Sequence, residues 1–458
     1  MDKKVLVAGA GKSGVAASKL LARNGREVIL YDENMKGELT GEIVLDKFAD
    51  APFKENIDTI LGSITDEQIK ACDYMVVSPG IPTDNGFVKR VKNLGVRVLS
   101  EIELAYMYEQ GTVIAITGTN GKTTTTTLVG EIMKAYNNET FVVGNIGIPY
   151  TDLADKTTES SVTVAEISSF QLETVETFKP HISACLNITP DHLDRHHTFE
   201  NYAACKMAIA NNQTKDDYMV LNYDDPETLK RADVDNVNVI FFSRLTHLDE
   251  GVYVDMDDVV IKKDNVITKI LSLKDINLLG THNVENILAA VAITYYAGVP
   301  ADIIRKVCTE FKGVAHRIEY VRTVNGVKYY NDSKGTNPDA VIKGIKAMTT
   351  TTFLIGGGYD KGVPFDDWIE AFENKVKYLV LIGQTAKTIA TCAKNHGFNS
   401  LVFMDTLEEA IDFCYKNARP GDAVLLSPAC ASWGMFKSYE QRGDIFRDYV
   451  MGLEGEDE

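Results

Sequence analysis

The chain has 458 residues, room for roughly three domains, and its 45% apolar and 24% charged residues exclude wholesale disorder. With 47 Lys+Arg against 65 Asp+Glu the net charge is −18, and no local basic stripe offsets it, so no nucleic-acid partner is expected. Seven scattered cysteines without a C-x-x-C pair argue against a zinc or disulfide framework and for reduced thiols in a cytoplasmic protein. No stretch approaches the ~18 uninterrupted apolar residues of a membrane span.

In chain order, short β-branched runs alternate with helical patterns, which predicts an α/β protein with largely parallel sheets. Strands are expected at 5–7 and 28–31 around a helix at 15–24, then at 75–77 and 96–99, closing a first unit near residue 100. A second unit opens with a strand at 113–116 that enters a Gly-rich turn and helix. Strands at 162–165, 184–188, 219–222 and 239–242 continue it, and 252–273 reads as a small antiparallel element. Helices at 283–297 and 301–311 end it near Lys312-Gly313. Asn325-Gly326 between apolar runs then signals a tight hairpin, and strands at 353–355, 378–382, 401–403 and 423–426 form a third unit. The expected domains are therefore 1–100, 101–313 and 314–458.

Two loops carry phosphate chemistry. Gly9-Ala-Gly11-Lys12-Ser13-Gly14 lies between a strand and a helix, the setting of a nucleotide-binding turn, and Asp32 at the next strand end can reach a ribose hydroxyl. Tight strand–helix packing explains the same glycines without a ligand, and the motif does not choose the nucleotide. Gly118-Thr119-Asn120-Gly121-Lys122-Thr123-Thr124 is sharper: backbone N–H groups form a phosphate nest, Lys122 reaches the β/γ-phosphates and the Thr123 hydroxyl can ligate Mg²⁺. It is not a standard Walker loop, whose spacing would need Gly at Ile116.

This second loop resembles that of the Mur ligases, the ATP-dependent amide-bond-forming enzymes of peptidoglycan synthesis. The similarity extends over Gly144-Asn145-Ile146-Gly147, Glu166 through Leu172, Asn187 through His196, His282 through Asn286, and Ala315 through Glu319. Asn331-Asp332-Ser333-Lys334-Gly335-Thr336-Asn337, Leu426 through Ser432 and Glu440-Gln441-Arg442-Gly443 are similar to the D-glutamate-adding branch. The resemblance implies N- and C-terminal Rossmann-like units around a central P-loop-type ATPase domain. It also implies use of ATP, two Mg²⁺ ions, UDP-N-acetylmuramoyl-L-alanine and D-glutamate, and nothing in the sequence demands more than a monomer.

Residue by residue, the resemblance makes Glu166, His192 and Thr123 Mg²⁺ ligands, and Lys206 a carbamylated lysine that ligates a second ion. Lys122, Lys206 and His192 are the expected catalytic groups. A satisfied buried ion pair for Glu166, a backbone-bonded loop histidine for His192 and a solvated helix face for Lys206 are the alternatives. Carbamylation needs a neutral amine, hence partial burial. Asn286, Arg317 and Asp332 are expected to join residues 118–124 on ATP. Gly11, Lys12, Ser13, Asp32, Asn145, Ser168 and Gln171 are expected on the UDP substrate, and Thr336, Lys361, Ser432 and Tyr439 on D-glutamate. Rival readings are a sibling ligase adding another amino acid, a folylpolyglutamate synthase, a nicotinamide dehydrogenase resting on Gly9 to Gly14, and a P-loop switch.

Overall fold

The computed structural model describes residues 4–33, 48, 53–145, 147–232, 236–360 and 362–456. The chain forms two compact units, one of residues 1–274 and 285–308, the other of 275–284 and 309–458.

The first unit holds two sheets. In the smaller, Ile57–Leu61, Val28–Asp32, Lys4–Ala8, Cys72–Val77 and Arg97–Ser100 lie side by side in that order, all parallel. The order reverses at Lys4–Ala8, so the crevice beyond its carboxyl end is where such sheets take ligands. Helix Lys12–Arg23 starts there, three residues earlier than its apolar pattern suggests, and buries Val15, Ala17, Leu20 and Leu21 against the sheet. Its approach is set by Gly14, where an added methyl carbon would lie 1.7 Å from the Gly9 carbonyl oxygen.

The larger sheet has nine strands, ordered Val266–Ser272, Asp258–Lys263, Gly251–Asp255, Asn238–Ser243, Tyr218–Asn222, Ile182–Cys185, Thr112–Thr117, Val162–Glu166 and Thr140–Gly144. Its pairs are parallel from Gly251–Asp255 to Thr140–Gly144. The expected antiparallel element at 252–273 is present and extends this sheet. Ile57–Leu61 and Thr140–Gly144 are strands the sequence reading did not include; both are edge strands, and in Ile57–Leu61 the polar Asp58 and Thr59 interrupt the apolar run.

The second unit is built on a six-stranded sheet ordered Glu319–Val324, Val327–Asn331, Ala423–Leu426, Thr352–Gly356, Val376–Leu381 and Leu401–Phe403. The first two strands form the expected hairpin, antiparallel with Val324 opposite Val327 and both turn residues, Asn325 and Gly326, at positive φ. The remaining pairs are parallel. Trp368 is fully buried between Phe365 and Phe372. Contacts group residues 275–284, which sequence reading assigns to the central domain, with this unit, because Leu279 packs on its core.

The close approach at Gly14 is testable by unfolding. Gly14→Ala is expected to cost about 2 kcal/mol or more, since backbone must move, whereas Gly86→Ala, which meets open space, should cost little. Equal urea midpoints for the two variants would remove the packing role of Gly14.

Candidate active site

The phosphate loop leaves strand Thr112–Thr117 and enters helix Lys122–Tyr136 through Gly121, whose φ is +84°. An added methyl carbon at Gly121 would also lie 2.2 Å from Asn286 Oδ1, so both conformation and space demand glycine. The neighbouring parallel strands hold the loop's outer side. Thr119 N–H donates to the Asn187 carbonyl (2.9 Å) and Asn120 N–H to Asn187 Oδ1 (2.8 Å), while Asn187 Nδ2 donates back to the Asn120 carbonyl (3.1 Å). Thr119 Oγ1 meets the Tyr202 hydroxyl at 3.0 Å. Asn187 and Tyr202 are loop-shaping residues that sequence reasoning missed. Tyr202 could have been found from its i, i+4 spacing to Lys206.

Lys122 and Lys206 converge on one acceptor. Lys122 Nζ donates to the Gly118 carbonyl at 2.8 Å and to the Thr119 carbonyl at 2.9 Å; Lys206 Nζ donates to the same Gly118 carbonyl at 2.8 Å. Lys206, on helix Phe199–Met207, is only 2% exposed, and its ammonium lies 4.6 Å from the Tyr202 ring centre. Burial, reinforced by the charge of Lys122, lowers its pKa to about 8. The neutral amine is therefore reached at lower pH than on an exposed lysine.

Glu166 ends strand Val162–Glu166, opposite Ile116 in register, and is buried. Its Oε1 accepts from Asn145 Nδ2 at 2.9 Å, whereas Oε2 has no hydrogen-bond partner among the described residues. A buried carboxylate oxygen without a donor is costly unless a cation meets it. With the half-buried Thr123 it offers hard oxygen donors of the kind Mg²⁺ takes. His192 is exposed at the head of short helix Leu193–His196, with φ +51°, its ring 4.9 Å from Phe170 and its Nε2 3.6 Å from Asp191 Oδ2.

The next residues tie this loop to the smaller sheet. Arg195 pairs with Glu173 (2.9 Å), packs over the Phe170 ring and donates to the carbonyls of Pro79 (2.7 Å) and Ile81 (3.2 Å). Ile81, Pro82, Tyr31, Asp32 and Phe87 line a cavity of about 210 Å³ at the strand-order reversal. Asp32 Oδ2 accepts from Ala10 N–H at 2.8 Å and so also braces the Gly-rich turn. Lys12 and Lys19 face a larger cavity, about 370 Å³, whose other wall includes Gly147, Pro149 and Asp152. Gly11 is exposed and Ser13 half-buried at the head of that helix. Of the residues expected on the UDP substrate, Asn145 holds Glu166 and Ser168 caps helix Ser169–Leu172. Gln171 is buried. It is the third residue of the Ser168 capping box, accepting from Ser168 and donating to Glu101 at 2.6 Å, which occupies both ends of its amide. Asn286 likewise is buried, its amide against Gly121 and in contact with Thr125 Oγ1 at 3.4 Å.

In the second unit, Asp332 is buried and accepts from Ser427 Oγ at 2.6 Å and Ile318 N–H at 3.3 Å. Burial pushes its pKa up to about 7, against those hydrogen bonds and the charge of exposed Arg317. The fully buried Arg442 joins the three segments that distinguish the D-glutamate branch: its Nε donates to Ser333 Oγ (2.9 Å), its other nitrogens to the carbonyls of Ser333 (2.8 Å) and Cys430 (3.1 Å). Asn331 adds a bond to the Gly443 carbonyl at 3.1 Å. Ser432 is buried beside this knot, Thr336 is half-buried, and Tyr439 opens helix Tyr439–Met451 with its ring 6.1 Å from His316. Burial raises the Tyr439 hydroxyl to about 12. Lys361 lies outside the described residues.

Family models match in three pieces: the N-terminal domain of MurD-like Mur ligases over residues 3–100, the Mur ligase middle domain over 116–294 and the Mur ligase glutamate ligase domain over 316–430. The chain is 51% identical over 456 residues to the UDP-N-acetylmuramoylalanine–D-glutamate ligase of Lachnoclostridium phytofermentans, covering 100% of this chain and 99% of that one. It is 53% identical to the enzyme of that name from Lachnospira eligens, with 99% of each chain covered. Among solved structures, the UDP-N-acetylmuramate-alanine ligase of Thermotoga maritima superposes with a TM-score of 0.57 at 18% identity, covering 98% and 99% of the two chains. The MurF ligase of the same organism in complex with ADP gives 0.54 at 17% identity, covering 98% and 95%.

The lowered pKa of Lys206 makes stability pH-dependent. Between about pH 8 and the ordinary 10.5, the unfolded chain holds a proton the folded one has released, so stability rises with pH across that window. Lys206→Met removes a cost that is fully present below pH 8. In CO₂-free buffer it is expected to be more stable than wild type at about pH 7 by the order of 1–3 kcal/mol, with the advantage fading toward about pH 10. Urea unfolding at the two pH values measures this, and a constant difference would sink the assignment of Lys206 as a desolvated cation.

Proposed function

The chain belongs to the Mur ligase family, and from that premise we propose that it joins D-glutamate to UDP-N-acetylmuramoyl-L-alanine at the expense of ATP, releasing ADP and phosphate. The reaction is a step of peptidoglycan precursor synthesis, carried out in the cytoplasm by a monomer. The observation that carries this reading is end-to-end similarity, at about half identity, to relatives bearing that activity in their names. Residues 1–100 take the UDP substrate, 101–313 ATP and 314–458 the amino acid.

The reaction proceeds in two steps. The alanyl carboxylate attacks the γ-phosphorus, forming an acyl phosphate and expelling ADP; the neutral amine of D-glutamate then attacks the acyl carbon, and phosphate leaves. Charge accumulates on phosphoryl oxygens first and on the carbonyl oxygen second, so fixed donors supply the catalysis. The N–H groups of 118–124, at the positive end of helix Lys122–Tyr136, cradle the phosphates with Lys122. Asn286 supports the loop from behind.

Thr123, Glu166, His192 and carbamylated Lys206 would hold two Mg²⁺ ions, which when bound neutralise charge on the phosphoryl oxygens. The partnerless Glu166 Oε2 and the easily neutralised Lys206 amine support that fit. The cavity at Asp32 suits the uridine end, where a fixed grip lets remote binding energy position the reacting carboxylate. Lys361, with Thr336, Ser432 and Tyr439, meets the carboxylates and backbone of D-glutamate.

Release of ADP is the direct assay: it should require both UDP-N-acetylmuramoyl-L-alanine and D-glutamate. Equal turnover with L-alanine or a diamino acid would assign the chain to a sibling activity instead. A second expectation isolates Lys206. If a carbamate acts there, Lys206→Ala loses an anion, so acetate should restore part of the rate and methylammonium none; rescue by the amine would mean that Lys206 works as a plain cation.

A further inference from the structure

In the second unit, three chemically distinct donor side chains meet where helix Asp366–Glu370 packs against helix Ala386–Asn395. A carboxylate oxygen of Asp366, the Cys392 sulfur and a ring nitrogen of His396 all lie within 4.8 Å of one another. Cys392 and His396 are four residues apart at the carboxyl end of one helix, so they share a face. Asp366 comes from the first turn of the other helix. His396 Nε2 is 3.0 Å from Asp366 Oδ1, and its Nδ1, on the far side of the ring, is 3.7 Å from Glu370 Oε1.

We propose that Asp366, Cys392 and His396 form a binding site for one divalent cation of borderline softness, Zn²⁺ being the reference ion. Sulfur and imidazole disfavour Mg²⁺ and Ca²⁺, which take oxygen, and one O, one N and one S donor suit a tetrahedral ion with its fourth position open to water. Glu370 stands where a carboxylate orients a metal-bound imidazole through its other nitrogen. The carboxyl end of helix Ala386–Asn395 adds negative potential. The framework is preset, because fully buried Trp368 fixes helix Asp366–Glu370 in the core.

The cation would act as a second clamp on a pair of loops already joined. Gly358, in the loop before the first helix, is bonded twice to Thr385, the residue before the second: Gly358 N–H donates to Thr385 Oγ1 at 3.0 Å and Thr385 N–H to the Gly358 carbonyl at 3.1 Å. Joining the first turn of one helix to the carboxyl end of the other through a metal would give the same two segments a second point of attachment. The site is independent of the proposed reaction, so it is tested by binding.

The metal-stripped full-length protein is titrated with Co²⁺ in excess Mg²⁺, which occupies hard-oxygen sites. A thiolate-to-cobalt charge-transfer band saturating at one equivalent and displaced by Zn²⁺ is expected. Cys392→Ser and His396→Gln should abolish it, while Cys205→Ser, which removes another partly exposed thiol, should leave it intact. Zn²⁺ should also raise the unfolding temperature of the wild type but not of His396→Gln. A missing band at saturating Co²⁺, a band that survives Cys392→Ser, or one lost in Cys205→Ser overturns the site and leaves His396 as an ion-pair partner of Asp366 and Glu370. ADP-forming activity in the same variants reports separately on the ligase reading.

Discussion

Two ammonium groups share one carbonyl oxygen just beyond the carboxyl end of strand Thr112–Thr117 in the nine-stranded sheet, and the Gly-rich loop there is built around that unfavourable proximity. Lys122 arrives from the first turn of the loop's helix and Lys206 from a helix more than 80 residues later, both bonded to Gly118. Repulsion of this kind persists only if the backbone around it is rigid and if an anion relieves it in use. Asn187 and Tyr202 supply rigidity, locking Thr119 and Asn120 from the adjacent strand and helix. An anion bound at the loop would relieve it. The carboxylate in reach of the same sheet edge, Glu166, keeps one oxygen uncommitted, which is the complementary arrangement for a cation.

The second unit depends on a buried charge as well, but there the solution is internal. Arg442 loses its water and is satisfied by a hydroxyl and two carbonyls, so its guanidinium works as a rigid connector between the 331–335 turn and the 427–432 loop. The three segments by which the sequence resembles the D-glutamate branch are thus one spatial object. Cutting one bond leaves an unpaired charge in a dry interior, a larger penalty than the bond itself contributes.

Much of this was legible in the chain. Parallel α/β architecture, the Asn325-Gly326 hairpin and both Gly-rich strand-to-helix turns follow from periodicity and glycine placement. Edge strands such as Ile57–Leu61 escaped because one exposed face breaks the apolar run that marks a buried strand. Among candidate site residues, burial was the property that could not be read. Lys206 carries no local sign that its helix face turns inward. Gln171 carries no local sign that its amide oxygen closes a capping box while its nitrogen donates to Glu101. Residues that act by holding others, Asn187 and Arg442, sat inside recognisable segments without announcing their task, since spacing reveals neighbours along the chain and says little about partners across it.

The long-range pairing of the phosphate loop also orders events during synthesis. Asn120 is held by Asn187, 67 residues downstream, and Thr125 meets Asn286, 161 residues downstream. The strand that feeds the loop lies between Val162–Glu166 and Ile182–Cys185, both made later. A ribosome that has released only the first 160 residues has therefore exposed every glycine of the loop without the framework that shapes it. Such non-local closure is slow and comes late. The loop's framework is therefore complete only once the chain beyond residue 187 has emerged, and its backing only once the helix bearing Asn286 has followed.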